Sequence, residues 1–275
     1  MMRILIVALA VLAMSCGLAR AQLALPGAAG APAESPSTAP ALPKAEKKAK
    51  ADKPAGPTDR FAASPRSLAD KSLRLAGSQG ELRLSERDKI LRIEKLSLAG
   101  EVISDPSRKC LIDIVGDAPI ETKSLGRPDG LARFEAEIPA CPFTFDVLDG
   151  AVLAPAQDRA CVFQAADCQA TPAGLWGPDP TTLHSDAKTI GRQRTHADAA
   201  ADRTLHAVQA KLKGKPEADA IVHEDADLAS RRDEVCHDYA QEAAYGYCAS
   251  RMAEARASLV KARFDALSKR APAPE

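Results

Sequence analysis

Cys236 and Cys248 stand twelve positions apart in a stretch whose apolar spacing is helical, and one straight helix cannot join them. Twelve residues at 1.5 Å rise would hold the sulfurs roughly 18 Å apart, far beyond disulfide reach. Either each cysteine pairs elsewhere or the chain bends between them. Gly246 supplies a bend, because glycine enters the left-handed backbone region where helices commonly stop. The stretch therefore reads as two helices clipped near their junction by Cys236–Cys248.

The N-terminus addresses the chain to an oxidising compartment. Arg3 precedes an apolar run from Ile4 to Met14, and Ala19-Arg20-Ala21 is a small-x-small cleavage pattern, so residues 1–21 read as a signal peptide. The run is too short to anchor in a bilayer, and no later stretch reaches the roughly 20 apolar residues of a transmembrane helix. The expected location is periplasmic or secreted. Ala13-Met14-Ser15-Cys16 is an imperfect lipoprotein site, which makes a lipid anchor at Cys16 the alternative. Of seven cysteines, Cys110, Cys141, Cys161, Cys168, Cys236 and Cys248 remain after the signal, an even set that points to three disulfides.

Residues 22–60 are mostly alanine, proline and small polar residues, with Lys44, Lys47, Lys48, Lys50 and Lys53 near the end. Too few large apolar side chains are present to offset the entropy of ordering, so a disordered linker is expected. Its lysines could touch anionic wall polymer. The whole chain has 37 basic and 37 acidic residues, a balance that argues against a nucleic-acid partner held through phosphates.

Between residues 73 and 155 the apolar period becomes two. Leu91 and Ile93, then Cys110, Ile112 and Ile114, then Phe134, Ala136 and Ile138, then Cys141, Phe143, Phe145 and Val147 each share a strand face. Gly126-Arg-Pro-Asp-Gly130 and Asp149-Gly150 are turns between such runs. A small antiparallel β domain follows. Cys110 and Cys141 both fall on apolar faces, and a bridge between them is the first choice.

Residues 156–194 read as a cysteine-containing connection. Cys161 and Cys168 are assigned to a local bridge, with links from this segment to Cys236 and Cys248 as the alternative. Trp176, the sole tryptophan, lies in the turn-rich stretch Thr171 to Pro180, where it anchors a partner or seals two layers of core. Residues 195–270 are helical. Thr195-His-Ala-Asp198 resembles a capping box, and Ala201, Leu205, Val208 and Leu212 form a stripe that Gly214 and Pro216 end. A second helix is expected over 217–245. A third, over 248–269, carries Met252, Ala255, Leu259, Ala262 and Ala266 on one face.

Catalytic and metal motifs fail at identifiable positions. The residue four after His223 is Asp227, so the zinc-protease pattern lacks its second histidine, and no Cys-x-x-Cys occurs. Glu224, Asp225 and Asp227 lack the glycine of a calcium loop. There is no Gly-x-Ser-x-Gly, and His184, His196, His206, His223 and His237 lie in polar settings. No metal or other cofactor is expected, and the chain reads as a non-enzyme; a hydrolase with a carboxylate pair ranks last among the readings.

Cys236, eleven residues, Cys248 and then an aromatic sixteen positions on, Phe264, resemble the LprI-type lysozyme-inhibitor family of bacterial envelopes. The likeness covers about thirty residues by its own motif, with Leu259 one place off the family register. It implies an exported binding protein that holds a wall-cleaving enzyme by its helical surface, through Tyr239, Tyr245, Tyr247 and Arg251 near the junction. The expected architecture is α+β: disordered linker, antiparallel β domain, disulfide-clipped helical hairpin. The rival function is a structural envelope protein attached to the wall or to a partner complex.

Overall fold

Strands extend from Ser72 to Gly177, beyond the expected β domain. The computed structural model describes residues 63–270, so the signal peptide, Cys16 and the linker lie outside the described residues. The strands are β1 (Ser72–Leu75), β2 (Gln79–Arg87), β3 (Ile90–Val102), β4 (Lys109–Asp113), β5 (Ile120–Glu121), β6 (Lys123–Gly126) and β7 (Ala132–Ala136). They continue with β8 (Phe143–Leu148), β9 (Ala151–Ala154), β10 (Cys161–Phe163), β11 (Cys168–Ala170) and β12 (Gly174–Gly177). All twelve join one antiparallel sheet. The segment read as a connection thus supplies three strands, too short for periodicity to register.

The thirteen-residue β3 organises this sheet. Ser97 pairs with Glu81 of β2 and with Asp113 of β4, so β2 and β4 lie on opposite edges of β3. Gly100 pairs with Cys110 of β4 and Ala170 of β11, so β11 follows β2 along the same edge. Two strands flanking a third stand about 9.5 Å apart in a flat sheet. Cys110 and Cys168 have Cα atoms 6.0 Å apart and are bonded, so the strands fold sharply over β3 there. Gly100 permits this, because a Cβ would sit 2.0 Å from the Gln169 carbonyl oxygen. Farther round, Leu82 and Leu84, Ile93 and Leu98, Phe134, Phe145, Val152 and Trp176 meet in one core. The sheet wraps around it, and Cys141, just before β8, is bonded to Cys161 of β10 near the opposite end of the strand order.

The expected pairings Cys110–Cys141 and Cys161–Cys168 are therefore replaced by Cys110–Cys168 and Cys141–Cys161. The faces were right and the partners wrong. In the β10–β11 hairpin Cys161 lies opposite Ala170 and Cys168 opposite Phe163. The two cysteines are diagonal neighbours, about 7–8 Å apart and outside bonding range.

Four helices follow: α1 (Ala187–Lys211), α2 (Pro216–His237), the single turn α3 (Glu242–Tyr245) and α4 (Tyr247–Arg270). α1 starts eight residues before the expected cap, since the Thr195 hydroxyl donates back to the Gly191 carbonyl within the helix (3.1 Å). α2 ends at His237, and Gln241 and Gly246 are left-handed, which produces the reversal. Ala197 and Ala201 of α1 meet Ala253 and Ala257 of α4, and farther on Val208 meets Val260, so these helices run parallel at close range. α2 runs back alongside them, packed chiefly on α4. Leu148, Ala151 and Leu175 on the outer sheet face pack with Tyr239, Tyr247, Met252 and Ala255, so the sheet is buried on both sides here.

Candidate functional site

The reversal between α2 and α4 is built from its own polar groups. Cys236–Cys248 closes it with Cα atoms 5.5 Å apart, as the spacing suggested. The Glu242 carboxylate accepts from the Cys248 and Ala249 amides at 2.8 and 2.9 Å, satisfying donors that a helix start leaves open. The Ala240 amide donates to the Ala76 carbonyl (2.9 Å), docking the reversal on the β1–β2 turn. Tyr239 and Tyr247 stack with centroids 5.9 Å apart above Gly177, where a Cβ would lie 2.2 Å from the Tyr239 hydroxyl oxygen. That glycine makes the slot.

Beneath the clip Arg251 is 2% exposed. Its guanidinium donates to the Asp149 carbonyl (2.7 Å), to Gln193 Oε1 (2.6 Å) and to the Ser250 hydroxyl (3.3 Å). It lies 3.2 Å from the Glu254 carboxylate and 5.3 Å from the Tyr247 ring centroid. One residue therefore joins the β8–β9 turn, α1 and α4. Burial pushes the Glu254 carboxyl up to about 7, against the opposing pull of Arg251 and with help from Asp149. Burial likewise raises the Tyr239 and Tyr247 phenols well above the ordinary range. The Tyr247 hydroxyl donates to the Gly150 carbonyl (2.8 Å), whereas the Tyr239 hydroxyl and Arg251 Nε find no hydrogen-bond partner among the described residues.

A second polar chain crosses the same seam. Arg133 of β7 donates to both Asp146 oxygens at 2.7 and 2.8 Å and to Asp129 (2.7 Å); Asp129 meets Arg263 of α4 (3.0 Å), which reaches Glu224 of α2 (2.8 Å). Arg256 forks onto Asp225 at 2.6 and 3.0 Å and onto Asp202 (3.0 Å). Hydrogen bonding to Asp225 raises the Arg256 guanidinium further. Two of the three carboxylates considered for calcium are thus ion-paired to arginines of α4. Among the described residues no group of three potential metal ligands forms.

The structure gathers Tyr239, Tyr245, Tyr247 and Arg251 at the clip but turns three of them inward, away from any partner. Trp176 is fully buried in the inner core, its indole N–H donating to the Pro172 carbonyl (2.8 Å), and so seals the sheet from within. Tyr245 is half-buried, edge-on to exposed His184 at 6.5 Å. The outer surface of the clip comprises these two, with His237, Asp238, Gln241 and Ala244.

No family model, curated protein or solved structure matches the chain. Three disulfides fit an oxidising compartment outside the cytoplasm, and among the described residues no helix is long and apolar enough to cross a membrane.

Glu254, Asp149 and Gln193 escaped the sequence reading. The available signal was the stripe Tyr247, Arg251, Glu254, Ser258 at helical spacing, which ordinarily marks a wet face and here marks a dry one.

Proposed function

We propose that this is an exported, non-catalytic binding protein of the bacterial envelope that inhibits a cell-wall-cleaving enzyme through the clip. The carrying observation is the clip itself. A disulfide, a carboxylate cap and a backbone bond to the β1–β2 turn hold an exposed reversal in one conformation, which lowers the ordering entropy of binding. Tyr245 and His184 supply an aromatic pair at its surface, and the arginines and carboxylates beneath are engaged with each other. Titrating the oxidised chain into a lysozyme assay should lower the rate. Tyr245→Ala should weaken inhibition about tenfold, as truncating an aromatic anchor does. No inhibition at large molar excess discards the reading, and retention on isolated peptidoglycan that needs residues 22–60 would favour the structural alternative.

A further inference from the structure

Strand β4 pairs with β3 on one side and, among the described strands, with none on the other. The ladder fixes which groups face outward. The Val102 amide donates to the Arg108 carbonyl (3.0 Å) and the Ile114 amide to the Leu96 carbonyl (2.8 Å). Antiparallel strands alternate, so residues 108, 110, 112 and 114 direct N–H and C=O toward β3, and Lys109, Leu111 and Asp113 direct theirs to the open edge. The same three side chains lie on the outer face, opposite to Cys110 and Ile112. Leu111 is 67% exposed, more than any other large apolar side chain among the described residues.

Edges of this kind are usually blunted by a charge, because a lone lysine would be buried by an incoming strand. Here the charge order is self-complementary. An antiparallel copy of β4 centred on Leu111 sets Lys109 against Asp113 on both sides of a two-fold axis and Leu111 against Leu111. Every outward N–H and C=O of the three residues then finds a mate. Among the described strands the other open edges lack this property: β5 is Ile120-Glu121, β6 carries Lys123 with no acid within the strand, and β10 is Cys161-Val-Phe163. The Cys110–Cys168 bond ties β4 to β11.

We propose that β4 is an isologous interface through which two copies of this chain join their sheets edge to edge. Sedimentation of the oxidised full chain at rising concentration should show twice the chain mass. Lys109→Asp or Asp113→Lys sets like charges opposite each other twice and should weaken the dimer about tenfold or more. An equimolar mixture of the two variants restores both opposite-charge pairs, and should form heterodimers although neither variant dimerises well alone. Leu111→Pro removes an outward N–H without breaking the bond pattern to β3, and should be monomeric with the melting temperature that the wild type shows when diluted to monomer. A wild-type chain that stays monomeric at every concentration overturns the proposal. So does a dimer that persists in Leu111→Pro, or a variant mixture no more dimeric than its components.

Discussion

At Glu254 the interior makes a carboxyl behave like a neutral-range titrating group. The residue is 6% exposed and its carboxyl is raised from 4.5 to about 7. The folded protein then holds a proton that the unfolded chain has released between those values. Stability from this residue is present below about pH 4.5 and is lost as pH rises through 7, a swing of about 3 kcal/mol. Urea denaturation at pH 5 and pH 8 should show the loss in the wild type and a much smaller one in Glu254→Gln. The two stacked tyrosines should respond in opposite ways. Tyr239→Phe removes a buried hydroxyl without a partner and should be neutral or stabilise by about 1 kcal/mol, whereas Tyr247→Phe orphans the Gly150 carbonyl and should cost about 1 kcal/mol. Denaturant midpoints of the two variants check the sign of each.

Among elements, the clip and the long strand show what the sequence could and could not disclose. Replacing Cys236 and Cys248 together by alanine should cost about 3 kcal/mol for a loop of this length, measurable as a lower thermal midpoint. That bridge was legible because both cysteines lie within one local reversal, whose geometry Gly246 announces. The alternating faces of Cys110, Phe134 and Cys141 were legible for the same reason: strand period is a local property. The partners of Cys110 and Cys141 were not, because they depend on β11 returning to β3 across more than sixty residues, a pairing decided by closure of the core. Arg251 was read as surface because arginine in an alanine-rich helix is normally wet; its burial is set by the β8–β9 turn and Gln193, which are remote in sequence.

The molecule as a whole should not come apart into the sheet and helical domains that its sequence suggests. Residues from the outer sheet face, α2 and α4 share one apolar cluster, and the Asp146–Arg133–Asp129–Arg263–Glu224 chain spans the same boundary. α4 has almost no free surface up to Val260 and needs both layers to cover it. Calorimetry of the oxidised chain should give a single cooperative transition for the described region, and two resolved transitions would contradict this packing.

The Cys141–Cys161 bond lies nested inside Cys110–Cys168. Synthesis delivers Cys110 and Cys141 before either true partner exists, so a fast oxidant is expected to join them wrongly. Correct assembly then requires a thiolate to reopen that link. Non-reducing mapping of chains caught during synthesis under oxidising conditions should find the 110–141 species, and a thiol–disulfide isomerase should clear it. The order in which cysteines emerge thus predicts a fold that leans on a proofreading catalyst.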